Sequence, residues 1–591
     1  MKQFFKMMFA STLGVMLAMG MIIAIGFCVV IGFVASVGST PSYSPKAHTV
    51  LKIKLNGTLV ENANTNPFAS LMGDKEEVLS LKELREAIQT AKGNDNIVGI
   101  YLEAGSLATG SASFEALRRQ LTDFKQSGKF VVAYGDSYSQ GNYLLCSVAD
   151  KVFLNPQGTL GLAGLASQTM FFKGLMDKAG VKMEIFKVGT YKGAVEPFML
   201  DKLSDANREQ IHSYISSIWG TICRGIANER KITVSEVEKF ANEGLFMAEP
   251  GKAVEYGLVD SLAYKPDVEA YVKQLAGQSD KKLLTASVAQ VNTLKNQTAK
   301  SGTPQVAVLY AEGEIKAQNP NSIYDMETSI TEKLADELIK LKDDEDVKAV
   351  VLRVNSPGGS AYVSEQIWKQ VVELKKVKPI VVSMSDVAAS GGYYISCAAN
   401  KIVAEANTLT GSIGIFGMFP NMAGLFDKLD VTTDIVKTCD YADLGDISRP
   451  MTDGERVLIQ AYVERGYQLF LKRCADGRGM TVDEINAIGQ GRVWTGEQAK
   501  ERGLIDELGG IELAVSEAAK LSGLEENQYE VVSVSGSKNL LDQLLESQWG
   551  EIRQSVARNI LGDQYEYFKV LEQAKQSTGI QARLPYDLKP L

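Results

Sequence analysis

Histidine is almost missing from this sequence: only His48 and His212 occur in 591 residues. So little imidazole leaves scant scope for a histidine-built zinc site or a histidine general base. His48 follows an apolar N-terminal run and His212 falls in a helical pattern, so neither is placed for catalysis. Cysteine is scarce as well. Cys28, Cys146, Cys223, Cys397, Cys439 and Cys474 show no CxxC or Cys/His spacing, which excludes a zinc ribbon or a disulfide framework and reads them as buried small hydrophobes. No stripe of Lys and Arg with interleaved aromatics exists and the net charge is −9, so nucleic acid is not expected as a partner. The glycine-rich stretches "NSPGGS" and "GSIGIFG" are not followed by GK[ST], which excludes a phosphate loop. The pattern asks for no metal and no cofactor.

What is present is globular. With 45% hydrophobic and 23% charged residues the chain can bury a core, and its length exceeds what one core holds, so two or more domains are expected. From Met7 to Ser39 no charged residue interrupts an apolar run preceded by Lys2 and Lys6. About 20 such residues span a bilayer, and the flanking lysines keep the short N-terminus cytoplasmic, so a transmembrane anchor carrying the body on the outer face is expected. A cleaved signal peptide would have an apolar region of only ~7–15 residues.

The rest of the chain is written twice. "FVVAYGDSYSQGNYLLCSVADKVFLNPQGTLGLAGL", from Phe130, aligns without a gap on "IVVSMSDVAASGGYYISCAANKIVAEANTLTGSIGI", from Ile380, so that Asp136 falls on Asp386, Tyr143 on Tyr393 and Gly161 on Gly411, each pair 250 positions apart. Downstream, "IFKVGTYK" lies over "IVKTCDYA" and "LSDANREQI" over "MTDGERVLI". Each half alternates β-branched apolar runs with helical patterns, which implies an α/β fold with largely parallel sheets buried on both faces. The expected organisation is an N-terminus and anchor over residues 1–45, a first repeat over 46–276, a polar linker over 277–303, a second repeat over 304–536 and a helical extension over 537–591.

Chemistry separates the halves. Ser390 of "SDVAASGGYY" faces Gln140, Pro357-Gly358-Gly359 faces Leu107-Ala108-Thr109, and Ser412 faces Leu162, so a hydrolytic corner is confined to the second half. Conversely, Lys192 of "GTYKGAVEPF" faces Ala442. Each half keeps what the other lacks, and the simplest account is one site assembled between them. A serine hydroxyl needs an adjacent base. Lysine serves if burial strips its proton, so Lys192 is the expected base for Ser390, with Ser412 placed to orient the amine. Ser390 taken alone also reads as a helix N-cap. The N–H groups of Gly359, at a strand end, and Gly391, at a helix start, are candidate oxyanion donors, because a missing Cβ admits substrate and the helix dipole favours negative charge.

"NSPGG", "SDVAASGGYY", "LTGSIG" and "GTYKGAVEPF", in this order of repeats and behind an apolar N-terminus, resemble the long, tandem form of the signal peptide peptidase A (protease IV) family. The resemblance implies a ClpP/crotonase-like fold and a Ser–Lys peptidase that degrades remnant signal peptides. It further implies a homotetramer on the outer face of the bacterial cytoplasmic membrane. By it the nucleophile falls on Ser390, the general base on Lys192 and the lysine-coordinating serine on Ser412. Two other readings use the same fold: a crotonase-type acyl-CoA enzyme, which would need catalytic carboxylates, and an inactive membrane scaffold. Neither accounts for the reciprocal Ser and Lys.

Overall fold

The computed structural model describes residues 43–62, 78–279, 282–294, 302–317, 329–526, 528–534 and 579–583, with a few positions between 6 and 21. The expected anchor over Met7–Ser39 lies almost wholly outside these residues. Among the described residues no helix is long and apolar enough to cross a membrane.

In the first half the strands are β1 (Thr49–Val60), β2 (Val78–Ser80), β3 (Ile97–Ala108), β4 (Phe130–Gly135), β5 (Lys151–Leu154), β6 (Lys182–Lys187), β7 (Ser261–Leu262) and β8 (Thr285–Ala286). All but β6 form one parallel sheet in the order β2-β1-β3-β4-β5-β7, with β8 beside β1. The second half contains β9 (Gln305–Glu312), β10 (Glu314–Ile315), β11 (Ser329–Ile330), β12 (Val347–Ser356), β13 (Gly358–Ser360), β14 (Ile380–Ala389), β15 (Lys401–Ala404), β16 (Leu409–Gly411), β17 (Phe416–Asn421), β18 (Val493–Thr495), β19 (Glu507–Leu508), β20 (Glu530–Val534) and β21 (Gly579–Arg583). Its main sheet, β18-β16-β14-β12-β9-β20 with β15 and β19 alongside, is parallel except at the β16–β18 pair. The β-branched runs that predicted strands of a sheet buried on both faces are these central strands: Val350, Val351, Leu352, Val381 and Val382 are all fully buried.

The repeat is visible in detail. Asp205–Arg230 and Asp453–Arg478 are helices of 26 residues each, started by Ser204 and Thr452, whose side chains accept from the N–H three residues on. The two cores interpenetrate at the junction. Ala389, Leu409 and Val493 of the second half pack in the first-half core, and Phe186 of β6 packs in the second. A third sheet, β11-β10-β13-β21-β17-β6, crosses from one half to the other.

Charged groups stitch the same seam. Arg353 of β12 holds Glu61 with two bonds, Nη2 to Oε1 at 2.7 Å and Nε to Oε2 at 3.0 Å, in a buried environment where Ser385 also donates to Glu61. Burial alone would raise the Glu61 carboxyl pKa, but the Arg353 charge and these hydrogen bonds outweigh it and hold it below the ordinary value. Arg119 grips Glu405 at 2.5 and 2.7 Å, and Ser113 donates to Asp386 through N at 2.9 Å and Oγ at 2.6 Å.

Three expectations change. The stretch 277–303 is more than a linker, since β8 adds to the first sheet and Val288–Asn292 forms a capped helix against Leu81–Gly93. Of the extension 537–591, only 579–583 are described, and they form a strand, because two open strand edges supply backbone partners that a helix would have to find within itself. Cys439 is exposed, unlike Cys146, Cys223, Cys397 and Cys474, while Cys28 lies outside the described residues.

Because a buried carboxylate stripped of its counter-ion is costly, Arg353→Ala should lower stability by about 3–5 kcal/mol, read as a fall in the urea midpoint. The pair Glu61→Leu with Arg353→Met, which removes both charges, should recover most of it. An unchanged midpoint in Arg353→Ala would show that the seam does not depend on this pair.

Candidate active site

Ser390 sits where β14 ends and the helix Gly391–Ser396 begins. Its backbone has φ 55° and ψ −112°, a region a residue with a Cβ occupies only at a cost of about 1–3 kcal/mol. The bend is held by its N–H donating to Gly411 O at 2.8 Å and its carbonyl accepting from Tyr394 N at 2.8 Å. Ser390 does not act as an N-cap through its side chain. In the first half the same turn is relaxed: Ser139, at φ −69°, caps the helix Gln140–Cys146 by accepting from Asn142 N, and the Gln140 amide closes on its own loop through Ala163 N, Gly164 N and Gly164 O. The corner that is strained in one half is filled in the other.

The Ser390 hydroxyl lies 2.8 Å from Lys192 Nζ, which reaches it from the first half. Lys192 Nζ also contacts Ser412 Oγ at 3.1 Å and Ser412 O at 3.2 Å. All three side chains are fully buried. Among the described residues no carboxylate is hydrogen-bonded to the amine, and desolvation by burial pushes its pKa well below the ordinary lysine value. A neutral amine with a free lone pair is the form this environment favours.

The loop carrying Lys192 follows β6 and is clamped from both halves. Tyr191 N donates to Gln490 O at 2.9 Å, and Gln210 of the long first-half helix donates to Tyr191 O at 2.8 Å while accepting from Val493 N at 3.1 Å. Behind the lysine stand Gly491 and Gly414. A Cβ at Gly491, whose φ is +78°, would lie 2.7 Å from Lys192 N, Cα and Cβ, and one at Gly414 would lie 3.2 Å from Lys192 Cδ. Gly491 N donates to Ile413 O at 2.8 Å and Ser412 N to Arg492 O at 2.7 Å, so the wall and the orienting serine form one unit.

Gly359 and Gly391 are brought together. A Cβ added to Gly391 would meet Gly359 N and Gly358 Cα, each at 3.1 Å, and Ser364 Oγ at 2.8 Å, while one added to Gly359 would strike Ile315 O at 2.0 Å. The turn before them is set by Gly358 N donating to Ser356 Oγ at 3.2 Å. Thus Ser390, Lys192, Ser412, Gly359 and Gly391, predicted from the sequence, share one corner. Gly491, Gly414, Gln490 and Gln210 were not anticipated as parts of the site, and no local signal ties Gln210 to the lysine loop.

The peptidase family S49 pattern matches this chain once in each half, at residues 123–279 and 372–525, and the Clp protease pattern matches residues 305–409. The chain is 36% identical to Protease 4 of Salmonella typhi over 527 residues, 86% of this chain and 83% of that protein. It belongs to peptidase family S49. Serine protease SPPA, chloroplastic, of Arabidopsis thaliana is 32% identical over 86% of this chain and 74% of that one, and Protease 4 of Haemophilus influenzae 34% over 80% and 78%. The S49 chain described here is a serine protease.

Gly491→Ala should test the wall. The added methyl must displace the Lys192 backbone, and a shift of about 1 Å at a reacting group can cost ~10²-fold in rate. We expect kcat to fall by about that factor with KM for peptide nearly unchanged. Wild-type kcat in Gly491→Ala would show that the lysine loop is not held by this contact.

Proposed function

We propose that the protein is a membrane-anchored endopeptidase in which Ser390 is the nucleophile and Lys192 the general base. The observation that carries the reading is the 2.8 Å contact between a desolvated amine and a strained serine hydroxyl. Ser390 Oγ attacks the scissile carbonyl carbon and passes its proton to neutral Lys192 Nζ. The carbonyl oxygen becomes an oxyanion that accepts from the N–H groups of Gly359 and Gly391. Collapse breaks the C–N bond, the Lys192 ammonium returns its proton to the leaving amine, and an acyl ester remains on Ser390. Water, deprotonated by Lys192, attacks the ester carbonyl, and as the C–Oγ bond breaks and the acid leaves, the Lys192 ammonium returns the proton to Ser390 Oγ. Ser412 accepts from the amine and keeps its lone pair on the Ser390 hydroxyl.

Extended peptides suit the groove. The chain's own β21 lies antiparallel between β13 and β17, pairing Gly359 with Ala582 on one edge and Phe416 with Gln581 on the other. A substrate strand that takes the place of β21 in that slot gains main-chain bonds on both sides, with affinity from the backbone and preference from alternate side chains. One relative's name is putative signal peptide peptidase SppA, from Enterococcus faecium, 34% identical over 232 residues. Cleaved signal peptides, apolar and extended, fit both the slot and that likeness. We place the body on the outer face of the bacterial cytoplasmic membrane, held by Met7–Ser39, as a homo-oligomer, tetrameric by the family resemblance.

The test uses full-length protein in detergent with a synthetic apolar signal peptide. Ser390→Ala should abolish hydrolysis, and Lys192→Arg should lose at least about 10²–10⁴-fold because guanidinium stays charged. Below the lowered lysine pKa the amine is protonated and cannot act as base, so kcat/KM should fall as pH drops through that value and level off above it. A flat profile together with an active Lys192→Arg would contradict a lysine base.

A further inference from the structure

A buried carboxylate stands four residues after the lysine. Glu196 is only 1% exposed and accepts from Ser204 N at 3.1 Å, Ser204 Oγ at 2.6 Å and Asn207 Nδ2 at 3.0 Å. These donors lie at the start of the helix Asp205–Arg230, where the helix dipole favours negative charge. The charge of Glu196 is thus met at the helix and not at the amine, whose hydrogen bonds go to Ser390 and Ser412. Arg492, stacked 4.6 Å over the Tyr191 ring, is paired with Glu209 at 2.7 Å.

A carboxylate accepts and never donates, so Glu196 dictates which way the Asn207 amide faces. With Nδ2 on Glu196, Asn207 Oδ1 is left to accept from Gln210 Nε2 at 2.7 Å. That aims Gln210 Nε2 at Tyr191 O, 2.8 Å away, and Gln210 Oε1 at Val493 N, 3.1 Å away. The order of donors and acceptors therefore runs without a break from Glu196 to the peptide carbonyl that precedes Lys192. The Asn207 amide also lies against the residue that follows the base, since a Cβ on Gly193 would strike its Nδ2, Cγ and Oδ1. Asn207 and Gln210 are fully buried.

The second half, which has Ala442 in place of the lysine, carries none of this relay. In the register of "LSDANREQI" over "MTDGERVLI", Asn207 falls on Glu455 and Gln210 on Leu458. Glu455 is turned to Arg449 and to its own cap residue Thr452, and Leu458 is exposed. Asp446, 250 positions on from Glu196, accepts from Ser448 N at 2.7 Å. The cap at Ser204 and Thr452 is common to both helices, whereas the relay is present only where there is a lysine to hold.

We infer that Glu196 is a positioning residue for the reaction, acting through Asn207 and Gln210 to hold the lysine loop so that the Lys192 amine stays against Ser390 and out of water. The inference rests on Lys192 as the general base. Without an acceptor at position 196 the Asn207 amide is free to turn, Gln210 loses its fixed direction, and the loop between Tyr191 and Gly193 loosens. Water then reaches the amine, hydration favours the ammonium, and the lysine pKa moves back up toward its ordinary value.

The experiment measures kcat and KM for a synthetic apolar signal peptide across pH, with the full-length protein in detergent held well below each variant's melting temperature. Glu196→Leu should lower kcat by about 10²-fold with KM nearly unchanged, and should displace the acidic limb of kcat/KM to higher pH. Gln210→Leu, which leaves the helix start intact, should displace the limb in the same direction. Glu196→Gln, which keeps an acceptor for Asn207 Nδ2, should recover most of the rate and return the limb. A Glu196→Leu or Gln210→Leu protein that melts lower yet keeps the wild-type kcat and limb would reduce the relay to packing and overturn the inference, as would a Glu196→Gln protein no better than Glu196→Leu. In both cases a normal limb in the unaltered protein and an inactive Lys192→Arg leave the lysine base standing. A flat profile in the unaltered protein with an active Lys192→Arg would remove the base, and the positioning role with it.

Discussion

Everything in this fold is arranged around one contact, a lysine amine out of water against a serine hydroxyl. An ammonium buried without a counter-charge is far more costly than a neutral amine, so the pocket selects the neutral form before any substrate arrives. That selection works only if nothing acidic approaches and nothing lets water in. The glycines at 414 and 491 meet the first condition by filling the space behind Lys192 with backbone rather than side chain. The interpenetrating cores meet the second. The ionic stitches, Glu61 to Arg353 and Arg119 to Glu405, stand away from the amine and hold the two halves together without lending it a charge.

Duplication explains why the contact can be split. Once two copies are joined covalently, each half needs to supply only one working partner to the shared corner, and the tether raises the local concentration of one half at the other. The first-half turn could then relax, with Ser139 as an ordinary cap and Gln140 closing the loop, while the second half retained the strained Ser390. Strain at Ser390 keeps its hydroxyl from capping its own helix and leaves it for the amine. The lysine loop shows the complementary pattern, since "CDYADLGD" in the second half lies on an exposed surface instead of in a clamp.

Much of this was legible before any coordinates. The apolar runs marked the central strands because strands buried on both faces carry no alternation, and the ungapped register exposed the exchange of Ser390 for Gln140 and Lys192 for Ala442. What escaped had tertiary causes. Gly491 is required by the backbone of a residue about 300 positions away, and its local sequence announces only a turn. Gln210 looks like any polar residue on a long helix until both ends of its amide are seen bridging the lysine loop and Val493. β21 could not be anticipated because five residues with no strong pattern pair only where two edges await them. The exposure of Cys439 was missed for a similar reason: cysteine usage speaks of burial on average, and the segment around it, residues 431–440, is exposed throughout.

The central claim is that Ser390 and Lys192 of one and the same chain make the working unit. Mixing Ser390→Ala protein with Lys192→Ala protein under conditions that allow subunit exchange, and following hydrolysis of an apolar signal peptide, tests it most directly. If each site is internal to a chain, every site in the mixture lacks one partner and activity should stay at the level of the separate variants. Recovery of activity on mixing, growing with the extent of exchange, would show that the serine and the lysine meet across chains and would contradict the account.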